Sequence, residues 1–82
     1  MTLKRLLVIS QPQVGKLVLE LRVLMGLTQE QFAALLGVTL SSISRWERGL
    51  SKLSPLAMQK VEEILHSLGD RGKQLLAKYL AD

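Results

Sequence analysis

TQEQFAALLGVTLSSISRWERG, residues 28–49, reads as one helix, a tight turn and a second helix. Thr28 opens the first: its hydroxyl can cap the amide of Gln31 while the Gln31 side chain reaches back, the T-x-x-Q form of a capping box. Phe32, Leu35 and Leu36 are expected on the inner face, and Ala33 is small enough to let another helix come close. Only Gly37 and Val38 precede the next helix, which Thr39 caps and Gly49 stops. Two short helices joined so tightly meet at a sharp angle, the layout of a helix-turn-helix.

Successive residues of a helix lie about 100° apart, which puts Ile43, Trp46 and Glu47 on one arc of the second helix. Ser41, Ser44, Arg45 and Arg48 fall on the opposite arc, which is polar, basic and free of acid. An α-helix fits the major groove of B-form DNA, where hydroxyls and guanidinium groups read base edges and arginine neutralises phosphate. A merely solvated face usually carries glutamates and lysines. Trp46 shares the arc of Ile43, which favours core packing over stacking on a base. Lys52, just beyond this helix, suits a phosphate contact and a solvated loop equally well.

Working outward, Val14, Leu17, Val18, Leu21, Leu24 and Met25 keep the spacing of one buried helical face from about Pro12 to Met25. Gly15 weakens the first turn of that helix slightly. Ser54-Pro55 is an N-cap followed by proline at the first helical position, starting a helix that runs to about Leu68. Ala57, Val61, Ile64, Leu65 and Leu68 form its inner set, with Lys60, Glu62 and Glu63 expected outside. Asp70 is expected to cap a fifth helix carrying Leu75, Leu76, Tyr79 and Leu80. Gly26, Gly37, Gly49 and Gly69 mark helix ends. No sustained period-2 alternation occurs, although Leu6 to Ile9 can pair as a short strand. The expected fold is all-α, with an arm at 1–11, a helix-turn-helix domain at 12–69 and a C-terminal helix at 70–82.

Composition agrees with one small helical domain. The chain has 82 residues and only three aromatics (Phe32, Trp46, Tyr79), so leucine and its aliphatic neighbours must fill the core. It has no cysteine, which excludes disulfides, thiolate nucleophiles and cysteine zinc sites. Eleven Lys and Arg against seven Asp and Glu give a net charge of +4. No apolar run reaches the roughly 18 to 20 residues of a membrane-spanning helix, and MTLKRLLVIS lacks the length and cleavage site of a signal peptide. The setting expected is the cytoplasm, at the nucleoid, with no membrane partner. His66 has no second histidine or cysteine beside it for a metal, and Glu62 and Glu63 splay apart on a helix. Ser41, Ser42 and Ser44 have no nucleophile elbow around them. No enzyme activity, metal, cofactor or small-molecule substrate is expected.

Residues 14–68 resemble the Xre family of DNA-binding domains, which includes the lambdoid phage repressor and Cro proteins. LRVLMGLTQEQFAALLGV and SSISRWERG carry the resemblance, through L-R-x-x-x-G-L-T-Q and I-S-x-W-E-x-G. It implies a five-helix lambda-repressor-like fold in which Gln29 binds backbone phosphate at a helix N-terminus. It further implies that Leu40, Ser41, Ser44 and Arg45 face base edges and that Arg48 lies beside phosphates. Thr28, Ser42, Lys52 and Arg22 complete the phosphate candidates. Arg22 and Glu47 match a pair in which a first-helix arginine meets a recognition-helix carboxylate. Many members have glutamine or another long polar residue where this chain has Leu40 and Ser41, so its reading set is short and partly apolar.

The resulting expectation is a sequence-specific, double-stranded DNA-binding transcriptional regulator, a repressor acting as a homodimer on a pseudo-palindromic operator. Two other readings stand beside it: an antitoxin with a toxin partner that autoregulates its operon, and a protein-interaction module that binds no DNA. For dimer contact the candidates are the apolar arm, with Leu3, Leu6, Leu7, Val8 and Ile9, and the C-terminal helix. The arm's Lys4 and Arg5 also suit a reach toward DNA.

Overall fold

A computed structural model describes residues 9–80. Five helices follow in order: α1 Gln13–Leu24, α2 Gln29–Leu36, α3 Leu40–Glu47, α4 Pro55–Ser67 and α5 Asp70–Leu80. There is no strand among the described residues. The expected arm residues Leu3 to Val8, with Lys4 and Arg5 and most of the proposed Leu6–Ile9 strand, lie outside them. Ile9 is buried in the core.

The caps set the boundaries. Thr28 accepts from the Gln31 amide at 3.1 Å while the Gln31 side chain accepts from the Thr28 amide at 2.9 Å, completing the capping box. Thr39 and Ser54 accept from Ser42 and Ala57 in the same way, each at 3.1 Å. All four predicted helix-ending glycines have positive φ. At Gly37, φ is 71°, and the reversal lets the Val38 amide reach the Ala33 carbonyl at 3.0 Å, so α2 stops at Leu36 and α3 starts at Leu40. A side chain bearing a Cβ would strain that turn.

Phe32, Leu17, Leu21, Leu36, Ile43 and Leu65 are the largest fully buried side chains, drawn from α1 through α4. α1 packs on α3 and α5, α2 on α3 and α4, and α4 on α5. The approach of α1 to α3 is close at Gly15: a Cβ there would stand 2.0 Å from the Trp46 carbonyl oxygen. Gly15 is thus more than a weak point in its helix, because only a hydrogen fits between the two backbones.

Several expectations change with packing. Leu35 is 51% exposed, because α2 turns Phe32, Ala33 and Leu36 inward, and Leu35 lies on the flank opposite Ala33. Glu62 is only 4% exposed and is not on the outer face; α4 is covered from two sides, by α2 and α5, so its buried arc is wider than a single stripe. Lys60 is half-buried, and its ammonium donates to the Leu36 carbonyl at 3.1 Å, meeting an orphan acceptor at the end of α2. Asp70 is the first helical residue, not the cap: the Gly69 carbonyl accepts from Lys73 at 3.0 Å, and the Asp70 carboxylate lies in the first turn. Leu75 and Leu76, offered as dimer contacts, are buried in the chain's own core.

Tyr79 and Lys78 fasten α5 to α1. The Tyr79 hydroxyl donates to Glu20, and Lys78 donates to both Glu20 carboxylate oxygens at 3.0 Å. These bonds, Tyr79 first, hold the Glu20 carboxyl below its ordinary value of 4.5. Burial, then the Glu20 carboxylate, pushes Tyr79 up to about 12.

Two outcomes follow. Gly15→Ala gains helix propensity of about 1 kcal/mol but must part α1 from α3, so a net destabilisation of about 1–3 kcal/mol is expected in urea unfolding. A more stable variant would contradict the close approach. The advantage of the wild type over Tyr79→Phe in thermal melts should be fullest between the unfolded carboxylate and phenol values. It should fade as pH falls through the lowered Glu20 value, below 4.5, and as pH rises through about 12.

Candidate nucleic-acid interface

α3 is eight residues long and amphipathic: Ile43 and Trp46 are buried, while Leu40, Ser41 and Arg45 are exposed, as is Arg48 at its C-cap. Ser44 is half-buried on the same outward arc. Leu40, 48% exposed, is the apolar member of that surface. Trp46 packs inward with the core. Lys52 is exposed in the loop that follows.

The acid of α3 is turned the other way. Arg22 of α1 grips Glu47 through both carboxylate oxygens, Nε to Oε2 at 2.7 Å and Nη2 to Oε1 at 3.1 Å. Its Nη1 donates to the Leu27 carbonyl at 3.0 Å. Gln29, at the start of α2, donates to Glu47 Oε1 at 2.9 Å. One carboxylate thereby joins the first three helices. The Glu47 side chain is 5% exposed and that of Arg22 16%, so the pair is largely withdrawn from water. Bidentate geometry is what makes such a pair compensate for its desolvation.

Charge at the surface is decided by this arrangement. With Glu47 engaged from beneath, the outward arc of α3 presents hydroxyls, Leu40 and two guanidinium groups. The bonds to Glu47 and Leu27 use three of the five N–H donors of Arg22.

The other candidates lie at helix starts. Thr28 is exposed and occupied in its capping box. Ser42 is half-buried, and its hydroxyl accepts from Thr39 at 3.0 Å. The sequence-based site therefore comes together around the starts of α2 and α3, the outward arc of α3 and the loop after it. Two supporting residues were not anticipated. Lys60 caps α2 from α4, and Gln11, assigned to the arm, donates to the Trp46 carbonyl at 3.2 Å and to the Ser51 carbonyl at 2.6 Å. Nothing in the periodicity marks either one, since both act on backbone carbonyls brought near by tertiary packing.

A short polar helix, held across a second helix by a glycine turn and showing a basic face without acid, defines a helix-turn-helix DNA-binding domain. Residues 18–68, well over half the chain, match the family model described as helix-turn-helix, the Xre and lambda-repressor type. The chain belongs to that family of DNA-binding transcription regulators. Neither the curated proteins nor the solved structures yield a significant match. No helix among the described residues is long and apolar enough to cross a membrane.

Removing the carboxylate should be costly. Glu47→Ala leaves the half-buried Arg22 without its carboxylate and should lower stability by about 3 kcal/mol. Calorimetry checks this; an unchanged Tm would mean that the pair contributes nothing to holding α3.

Proposed function

We propose that the protein is a sequence-specific repressor that binds double-stranded DNA as a homodimer, entering successive major grooves of a pseudo-palindromic operator with its two α3 helices. The observation that carries this reading is the inward anchoring of Glu47, which leaves α3 with exposed Leu40, Ser41, Arg45 and Arg48 and no carboxylate on that arc. Arg45 is suited to bidentate recognition of guanine O6 and N7, and Leu40 to a thymine methyl. Ser41 and Ser44 supply short hydroxyls for adjacent base edges. Arg48 and Lys52 neutralise backbone phosphates, with Thr28, Gln29, Ser42 and the remaining donors of Arg22 fixing the register. Each group stays within its ordinary chemistry: phosphate contacts provide affinity, and base contacts provide preference.

Repression follows from occupancy, since a domain seated in the groove excludes other proteins from the same DNA. Recognition helices about 34–36 Å apart match one turn of the duplex, so half-site spacing is a geometric consequence of pairing two copies.

Selection from a random duplex library with purified protein should enrich an inverted repeat, and binding should fall steeply with salt. Arg45→Ala should cost the selected site about 1–3 kcal/mol while affecting random duplex far less. Arg48→Ala or Lys52→Ala should weaken all duplexes alike and reduce the salt slope by about one. Enrichment of a single unrepeated half-site would overturn the dimer. Absence of duplex binding at low salt would overturn the DNA-binding reading in favour of a protein-interaction module.

A further inference from the structure

Gln11 and Gly15 precede the stretch that matches the family, yet both meet the end of α3. The Gln11 side-chain amide spans three backbone groups. Its Nε2 donates to the carbonyls of Trp46 at 3.2 Å and Ser51 at 2.6 Å, and its Oε1 accepts from the Gly15 amide at 2.8 Å. That orientation is the one the chemistry demands, because two carbonyls require a donor and an amide requires an acceptor. One side chain thus caps the start of α1 and gathers the carbonyls at the end of α3 and in the following loop.

The two carbonyls bracket the segment that carries Arg48, with Arg45 and Lys52 as their immediate chain neighbours. Inside the bracket, α3 closes on Gly49, whose amide reaches the Trp46 carbonyl at 3.0 Å, while the Leu50 amide reaches the Arg45 carbonyl at 2.8 Å. The Trp46 carbonyl therefore receives the Gly49 amide and the Gln11 amide together, and the hydrogen of Gly15 lets α1 come near enough for this. Arg22 and Gln29 hold α3 from its side chain at Glu47; Gln11 holds it by its backbone one residue earlier.

We infer that Gln11 is a positioning residue for DNA binding: it fixes the α3 C-terminus and the loop after it, and so sets where Arg45, Arg48 and Lys52 stand against the duplex. The inference rests on the DNA-binding reading above. It gives a residue outside the helix-turn-helix a share in discrimination between sequences without any contact to a base.

The test compares full-length wild type with Gln11→Ala, Gln11→Glu and a control, Tyr79→Phe, which loosens α5 from α1 without touching α3. Gln11→Glu retains an acceptor for the Gly15 amide but presents a carboxylate to two carbonyls, separating the cap of α1 from the hold on α3. Binding to the selected duplex and to random duplex is measured well below every Tm, with amide hydrogen exchange followed at residues 44–51. Both Gln11 variants should lose about tenfold on the selected duplex, the scale of one or two neutral hydrogen bonds, and less on random duplex. Exchange at Gly49 and Leu50 should quicken in both, and Tyr79→Phe should change neither readout. Gln11 variants that bind within twofold of wild type, or exchange as slowly, overturn the inference alone. A wild type that binds no duplex overturns the DNA-binding reading, and this inference with it.

Discussion

Glu47 is the point on which the domain turns. A carboxylate on a helix meant for DNA would repel phosphate if it faced outward and would be costly if buried alone. Here it is buried and answered by Arg22 from α1 and Gln29 from α2, so three helices share one negative charge. The bond directions leave α3 little freedom to roll about its axis. Which residues point outward is decided beneath the surface, by the bonds that hold Glu47.

This arrangement separates stability from recognition. Ile43 and Trp46 supply the core contacts of α3, whereas Leu40, Ser41 and Arg45 are exposed and contribute little to folding. Changes on the outward arc are therefore tolerated thermodynamically, and that exposed face can vary while the fold persists. The end of α3 is different: Trp46 is at once a core residue through its indole and an acceptor through its carbonyl, so packing and placement meet in one residue.

What the sequence made legible was chiefly local. The Thr28–Gln31 box, the Thr39 and Ser54 caps and the glycine stops depend on atoms within a few residues of one another, and they stand where their patterns put them. The Arg22–Glu47 pair is long-range, yet it was readable through family resemblance together with the inward arc of Glu47. Contacts made by backbone groups across the fold left no pattern. Lys60 looked like a solvated lysine because the Leu36 carbonyl it meets is 24 positions away, and Gln11 looked like part of an arm because its acceptors lie 35 and 40 positions on. Leu35 and Glu62 were misplaced for another reason: a helical wheel gives the spacing of a face but not its width or rotation, and those depend on how many neighbours cover the helix.

The contact between α1 and α5 brings together the two ends of the described chain. During synthesis α1 emerges first, and most of the turns that stop the helices can form as soon as their own last residues appear. Its partner α5 arrives last. Until residues 70–80 have left the ribosome, the side of α1 carrying Glu20 has neither Tyr79 nor Lys78 to meet. The five-helix domain is thus closed only once α5 has emerged, whatever the order in which its earlier helices form.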